Sequence, residues 1–340
     1  MEQAGNINSS RNLNVVAIGG GTGLSTLLSG LKSFVREPQA FVGIRDLSAI
    51  VAVTDDGGSS GRLRTELQML PPGDIRNCMV ALSEDSLLLS RLFRYRFKGE
   101  GGLSGHSFGN LFLAALSELT GDFAEAVRLS SGILASKGHI FPATTTSNVH
   151  LMADLDDGTT VQGETRISQV GPSVNRLHLE PEACHPVPEA VEAIKNADII
   201  TIGPGSLYTS LIPPLLVKGV SEAIGNSRAE KIYISNLMTQ PGETTGLSAA
   251  KHIRELRKYA PEIVFDQIIL NSHAISDEQR TRYALEGSIQ IGIDEGGDIS
   301  DACDAKIVYA NLLGDGEKVR HDPERLAAAV LSCASITAAA

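Results

Sequence analysis

The stretch NVVAIGGGTGLSTLLSGLK, residues 14–32, decides how the chain is read. Val15 to Ile18 form a continuous apolar run of strand length, and Gly19 to Gly23 set four glycines around Thr22. Leu24, Leu27, Leu28 and Leu31 then recur at helical spacing. A buried strand, a glycine turn and a helix start make an anion site: small residues let a phosphate approach, and unpaired N–H groups receive it. Gly20, Gly21, Thr22 and Gly23 are therefore ligand-binding candidates, with Ser25 as a further hydroxyl donor. The alternative is a purely structural turn that closes the strand onto its helix. The dinucleotide fingerprint is only partly met, because Gly19 and Gly21 fit its first two glycines while Leu24 replaces the third. Phosphate fits the stretch better than NAD.

Outward from this unit, β-branched apolar runs recur at 48–54, 197–203, 231–237, 265–271 and 306–313, separated by segments of helical length. They are continuous rather than alternating, as strands buried on both faces are. The pattern predicts an α/β fold, a Rossmann-like three-layer α/β/α sandwich around a mostly parallel sheet. Residues 146–168 differ: two polar-alternating runs flank Asp157-Gly158, which predicts a β-hairpin inserted at the sheet edge. Residues 1–13 read as a flexible polar tail and 14–340 as a single domain.

The second strand delivers TDDGGSSGRLR, residues 54–64. Asp55 stands well beyond the ~20-residue spacing of a ribose-binding acid, and its company is too rich for ribose recognition alone. Asp55 and Asp56 suit a hydrated Mg²⁺ at a phosphate. Gly57, Gly58, Ser59 and Ser60 supply N–H and hydroxyl donors, and Arg62 supplies positive charge; Arg64 reads as a solvated helix face. In LPPGDIRNCMVAL, Asp74 is as good an N-cap as a ligand contact. Arg76 and Asn77 follow in the first helical turn, where a cation is disfavoured unless an anion sits nearby.

GHSFG (105–109) matches the nucleophile-elbow pattern, but a polar loop precedes it where that motif needs a buried strand. His106, Ser107 and Asn110 read better as donors to a sugar or phosphate. Gly205 and Ser206 in ITIGPGSLYTS, then Asn236 and Thr239 in YISNLMTQPGET, repeat the strand-then-glycine pattern. Several such loops at the carboxyl ends of parallel strands share one crest, where α/β folds bind ligands.

Bulk properties set limits. The 340 residues carry a net charge of −11 and no long basic run, so sequence-independent nucleic-acid binding is not expected. The 34 glycines exceed the usual ~7%. Four scattered cysteines with no CxxC pair read as reduced cytosolic thiols. The start lacks an apolar signal core, and the apolar C-terminal run is shorter than the ~20 residues of a bilayer span. A cytoplasmic protein without membrane insertion is the expectation.

Read in order, IGGGTGLSTLLSGLK, VTDDGGSSGRLR, PPGDIRNCMVALS, GHSFGNLFLAAL, IGPGSLYTSLIPPLL, NLMTQPGET and VRHD (319–322) resemble the gluconeogenesis factor family (YvcK-like). That family is the bacterial branch of the CofD-like superfamily, which contains 2-phospholactate transferase. The resemblance runs from about Asn14 to Leu331. It implies a cytoplasmic, nucleotide-binding regulator of cell shape and cell-wall maintenance during gluconeogenic growth, with a UDP-sugar of the UDP-N-acetylglucosamine type as ligand. The transferase relatives instead move a phospho-carboxylate group from a guanosine diphosphate carrier to a deazaflavin, using Mg²⁺.

Carried over residue by residue, the resemblance gives Gly20 to Gly23 the phosphate loop, Asp55 and Asp56 the acidic loop, and Gly205 and Ser206 the later crest. Arg320 faces the diphosphate, and Tyr283 serves as a base or sugar neighbour. Asp322 before Pro323 reads as a helix start. The link VREPQAFVGIRDL and the tail from Ser332 look individual to this chain. With no evident nucleophile or general base, binding is favoured over transfer. A regulatory protein partner and homo-oligomerisation remain open at this level.

Overall fold

The computed structural model describes residues 11–37, 42–84, 87–292, 296–300 and 302–336. Most of the expected N-terminal tail, part of the 35–47 link and the last four residues lie outside these. The strands are β1 (Arg11–Gly19), β2 (Val42–Val51), β3 (His139–Pro142), β4 (His150–Leu155), β5 (Thr160–Gln162), β6 (Val174–Glu180), β7 (Ile199–Ile202), β8 (Glu230–Ile234), β9 (Gln267–Asn271) and β10 (Lys306–Ala310). The helices begin with α1 (Gly21–Leu31), α2 (Gly58–Leu67), α3 (Gly73–Leu82), α4 (Leu87–Arg94), α5 (Phe108–Thr120), α6 (Phe123–Ile133) and α7 (Glu164–Val170). They continue with α8 (Pro188–Asn196), α9 (Ile212–Leu216), α10 (Val220–Asn226), α11 (Ala249–Tyr259), α12 (Asp277–Leu285), α13 (Gly296–Ser300) and α14 (Pro323–Ile336).

Seven strands form one sheet in the order β10-β9-β8-β7-β1-β2-β3, and each described pairing is parallel. The side chains explain why. β7 and β9 are buried along their whole length, so neither face tolerates the polar alternation of a half-exposed strand. From β1 the chain proceeds to β2 and β3 on one side, then returns through β7 to β8, β9 and β10 on the other. The direction therefore reverses between β1 and β7. At such a switch point the following loops diverge and leave a crevice at the carboxyl ends of the strands.

Helices cover the sheet as the sequence pattern predicts. α1 buries Leu24, Leu27, Leu28 and Leu31 and packs against α3 and α14, while α8, α9 and α10 form a second packed group. Gly30 sets the approach of α14: a Cβ there would lie 1.9 Å from the Pro323 carbonyl oxygen.

Two features differ from the sequence expectation. β3 was not foreseen, being four residues long and containing a proline. The expected hairpin forms as β4 and β5, but a third strand, β6, pairs with β4, and the three make a separate antiparallel sheet rather than an extension of the main edge. Leu151, Ala153, Leu177 and Leu179 bury its inner face. The insertion also does more than decorate the fold, because α7 follows β5 directly and reaches the crest.

Candidate functional site

Two glycine turns flank the switch point and touch through their main chains. Gly21, the first residue of α1, has φ +61°, a conformation that favours glycine. A Cβ on Gly23 would stand 2.2 Å from the Pro204 carbonyl oxygen, so only glycine lets the turn after β1 meet the turn after β7. Asn236 braces the second turn: its Oδ1 accepts from the Gly205 N–H at 3.1 Å and its Nδ2 donates to the Gly205 carbonyl at 2.8 Å. Gln240 Nε2 donates to Ser206 Oγ at 2.7 Å.

Above these turns lies a cleft of about 330 Å³, walled by Gly20–Gly23, Pro204–Ser206, Asn236, Met238, Gln240 and Val319–His321. Arg320 closes its far side. That residue is exposed, and its guanidinium has no hydrogen bond or ion pair with the described residues. Gly314 N–H donates to the Arg320 carbonyl at 2.9 Å, which fixes its backbone and leaves its charge free.

The start of α1 carries donors with no partner inside the helix. One is already spent, since Gly21 N–H donates to Asp74 Oδ2 at 2.7 Å. Thr22 and Gly23 keep theirs at the cleft wall. Burial, and then the neighbouring charge of Asp55, raise the Asp74 carboxyl to about 6. An acid in that state is poised between neutral and charged at the start of α1.

The loop after β2 behaves differently. Asp55 Oδ1 accepts from Gly57 N–H at 2.8 Å, which folds the loop on itself. Asp56 turns the other way: its Oδ1 accepts from Thr165 N–H at 3.0 Å and Thr165 Oγ1 at 2.6 Å, capping α7. Asp56 Oδ2 packs so tightly on Gly163 that a Cβ there would be 2.0 Å away. The two acids expected to share Mg²⁺ thus bond through Oδ1 to different neighbours. Among the described residues there is no cluster of three or more His, Cys, Asp or Glu able to hold a metal.

Ser59 and Ser60 are buried and receive Asn110 Nδ2 at 3.1 and 3.5 Å. Ser59 Oγ also bonds His106 Nδ1 at 3.0 Å. Ser107 is fully buried and caps α5 by accepting Asn110 N–H at 3.2 Å. These residues tie α2 to α5, a correction to their expected role as ligand donors. A sealed Ser107 also removes the nucleophile-elbow reading.

Arg62 donates to the carbonyls of Ser104 and Gly102 at 2.7 and 2.6 Å, so its charge holds a glycine loop. Gly57 starts α2 in extended conformation and Gly58 follows at φ +48°. Arg64, expected in solvent, is buried and donates to the carbonyls of Thr54 and Val149. Arg76 bonds Asn77 Oδ1 at 2.6 Å; burial and the charges of Arg96 and Arg94 lower its pKa, while Asp74 opposes them.

Sequence reasoning missed two acids. Glu243 is buried and its Oε1 accepts Tyr208 N–H at 2.9 Å, so a carboxylate of the protein already occupies the start of the wide turn Leu207–Leu211. Burial raises its pKa against its hydrogen bonds from Tyr208, Thr209 and Ser206. Burial, with Asp74 and Asp55 close by, pushes Glu164 well above the usual range. The quoted NLMTQPGET contains Glu243, but nothing local says that its partner lies 35 residues earlier.

Thr239, expected at the ligand, is buried and bound to the Ile289 main chain in both directions, at 2.8 and 2.9 Å. Tyr283 OH accepts from Val319 N–H at 3.0 Å, one residue before Arg320. Of the expected residues, the structure therefore brings Gly20, Gly21, Thr22, Gly23, Gly205, Ser206, Asn236 and Arg320 to one cleft.

The family model "2-phospho-L-lactate transferase CofD" matches residues 15–313. The chain is 44% identical to a protein of Halalkalibacterium halodurans named gluconeogenesis factor, over 94% of this chain and 95% of that one. It is 43% identical to the Bacillus subtilis gluconeogenesis factor, over 92% and 95% of the two chains. A crystal structure of a Bacillus halodurans protein superposes with a TM-score of 0.87 at 43% identity, covering 94% of this chain and 100% of that one. No described helix is long and apolar enough to cross a membrane.

Proposed function

Because the chain belongs to the gluconeogenesis factor family, within the CofD fold, we propose that its cleft binds a nucleotide-sugar diphosphate of the UDP-N-acetylglucosamine type. On this reading the protein is a cytoplasmic regulator supporting cell shape and cell-wall maintenance during gluconeogenic growth. One observation carries it: Arg320, whose guanidinium has no partner among the described residues, lines the same 330 Å³ cleft at the switch point as the Thr22 and Gly23 main chain. Two phosphates need donors from two sides, and a helix start plus an arginine supply them. Val319, Met238 and Leu237 give the outer wall an apolar surface against which a base or sugar can lie.

In this proposal the residues bind and orient rather than react. Thr22 and Gly23 N–H take one phosphate, Arg320 the other, and Asn236 and Gln240 hold the turn that shapes the floor. Asp74, next to the bound anion, is driven further toward its protonated form, so binding takes up a proton.

The experiment is a thermal-shift panel with UDP-N-acetylglucosamine, GDP, GTP and NAD, each with and without Mg²⁺. A ligand at 100 times its Kd adds ~2.7 kcal/mol. We expect the UDP-sugar to give the largest rise; no rise with any nucleotide would sink the proposal. The match to the transferase model supports a second reading, Mg²⁺-dependent transfer of a phospho-carboxylate group from a guanosine diphosphate carrier. Turnover of such a donor with a deazaflavin acceptor would favour it.

A further inference from the structure

Arg320 sits in a loop with few anchors of its own. Between the end of β10 and the start of α14, the chain closes through a Leu313–His321 bridge and the Gly314-to-Arg320 bond. Residues 315–318 are exposed. What holds this stretch is one face of α12. Gln279, Arg282 and Tyr283 stand at i, i+3 and i+4, which places them side by side on a helix.

Each of the three grips the main chain of the loop. Gln279 Nε2 donates to the Gly316 carbonyl at 2.9 Å, Arg282 Nη2 donates to the Glu317 carbonyl, and Tyr283 OH accepts Val319 N–H at 3.0 Å. The Arg282 guanidinium also lies over the Tyr283 ring, 5.3 Å from its centroid, so the side chains brace one another. α12 itself buries none of its residues. A helix with no core face owes its place to such polar ties and to its flanks.

The flank supplies a second tie to the same cleft. After α12, Ser288 Oγ donates to the Thr239 carbonyl, Ile289 pairs with Thr239 and Ile291 N–H donates to the Leu237 carbonyl at 2.9 Å. Leu237, Met238 and Gln240 belong to the cleft wall. The α12 unit therefore joins the wall after β8 to the loop that carries Arg320.

On the premise of the nucleotide-diphosphate reading, we propose that α12 is a positioning element: Gln279 and Arg282, neither of which lines the cleft, set the aim of Arg320. The guanidinium has no partner among the described residues, so the place its side chain starts from, and hence what it can reach, is set by the backbone at 316–319. Rotating that backbone would leave the charge on the protein but off the phosphate.

The test uses UDP-N-acetylglucosamine as probe and calorimetric Kd as readout, with four proteins: parent, Arg320→Ala, the pair Gln279→Glu and Arg282→Met, and the triple variant. Gln279→Glu keeps the reach back to Ser276 N–H that completes the capping box and puts a carboxylate oxygen where the donor to the Gly316 carbonyl stood, so the tie is broken. Arg320→Ala should melt with the parent in the apo form, and the paired and triple variants somewhat below it, since both lose the ties to Gly316 and Glu317. Losing a hydrogen bond to a charged phosphate costs at least ~10-fold in Kd, and the paired variant should lose a comparable factor.

The triple variant should bind no more weakly than Arg320→Ala alone, because an element that acts only through Arg320 has nothing left to position. Equal binding by the paired variant and the parent would overturn the positioning role. A further loss in the triple variant, equal to that in the pair, would also overturn it, since α12 would then act through another group. Arg320→Ala binding as the parent does would instead overturn the reading of the cleft, and this proposal with it.

Discussion

The turns at β1 and β7 and the loop after β2 all follow buried strands with glycines and hydroxyls, yet it is the first pair that lines the cleft described above. After β2, every conspicuous side chain is spent within the molecule: Asp56 on α7, Arg62 on a glycine loop, Ser59 and Ser60 on Asn110. Between β1 and β7, two N–H groups and one guanidinium are left over. A rich polar stretch marks a place where many partners meet. Whether a ligand is among them depends on what remains unpaired.

The sharpest way to break this comparison is at the junction of the two open turns. Gly23→Ala places a methyl 2.2 Å from a main-chain oxygen that cannot yield cheaply. We expect a loss of ~3 kcal/mol or more and loss of the nucleotide-induced shift. Thermal melting decides it, and a variant that melts with the parent would mean the turns can part without cost.

Next in size is Asp74. Its folded pKa is about 6 against the 3.8 of a free aspartate, so the native state holds the proton more tightly than the unfolded chain. Stability is then greatest with the acid protonated and falls as pH rises through the window from about 4 to 6. The total is of order 3 kcal/mol. Asp74→Asn should melt above the parent at pH 8 and near it at pH 4. A gap independent of pH would show that Asp74 does not titrate there.

Arg320→Ala should weaken UDP-N-acetylglucosamine at least ~10-fold with the apo melting point unchanged, whereas Arg62→Ala, from the sealed loop, should leave Kd as it was. Similar Kd losses in both would erase the contrast between the two regions. Smallest is Ser107→Ala, which removes an N-cap worth ~1 kcal/mol and should alter neither Kd nor any ester hydrolysis. Esterase turnover that vanished in this variant would restore a catalytic serine.

What the sequence made legible were features with local causes. Val15–Ile18 and Ile199–Ile202 read as buried strands because no charged residue interrupts them, and Gly20–Gly23 read as a turn into a helix because the leucine spacing starts at once. Arg320 was named through family resemblance rather than from its neighbours. The bond of Asp56 to α7 was not legible because its partner lies 109 residues away, and Glu243 escaped notice because its task is to fill a helix start formed 35 residues earlier. β6 was missed because its burial alternates only weakly along seven residues. Long-range satisfaction of polar groups has no local period to detect.

The contact of Gly23 with Pro204 carries one last implication. With no side chain between the turns, the spacing of the two is set by main-chain dimensions alone. If the cleft holds a nucleotide diphosphate as proposed, choice among nucleosides would fall to side chains such as Met238 and Val319, which stand outside that junction. Descendants of this chain could then change the ligand they recognise while keeping the same hold on its diphosphate.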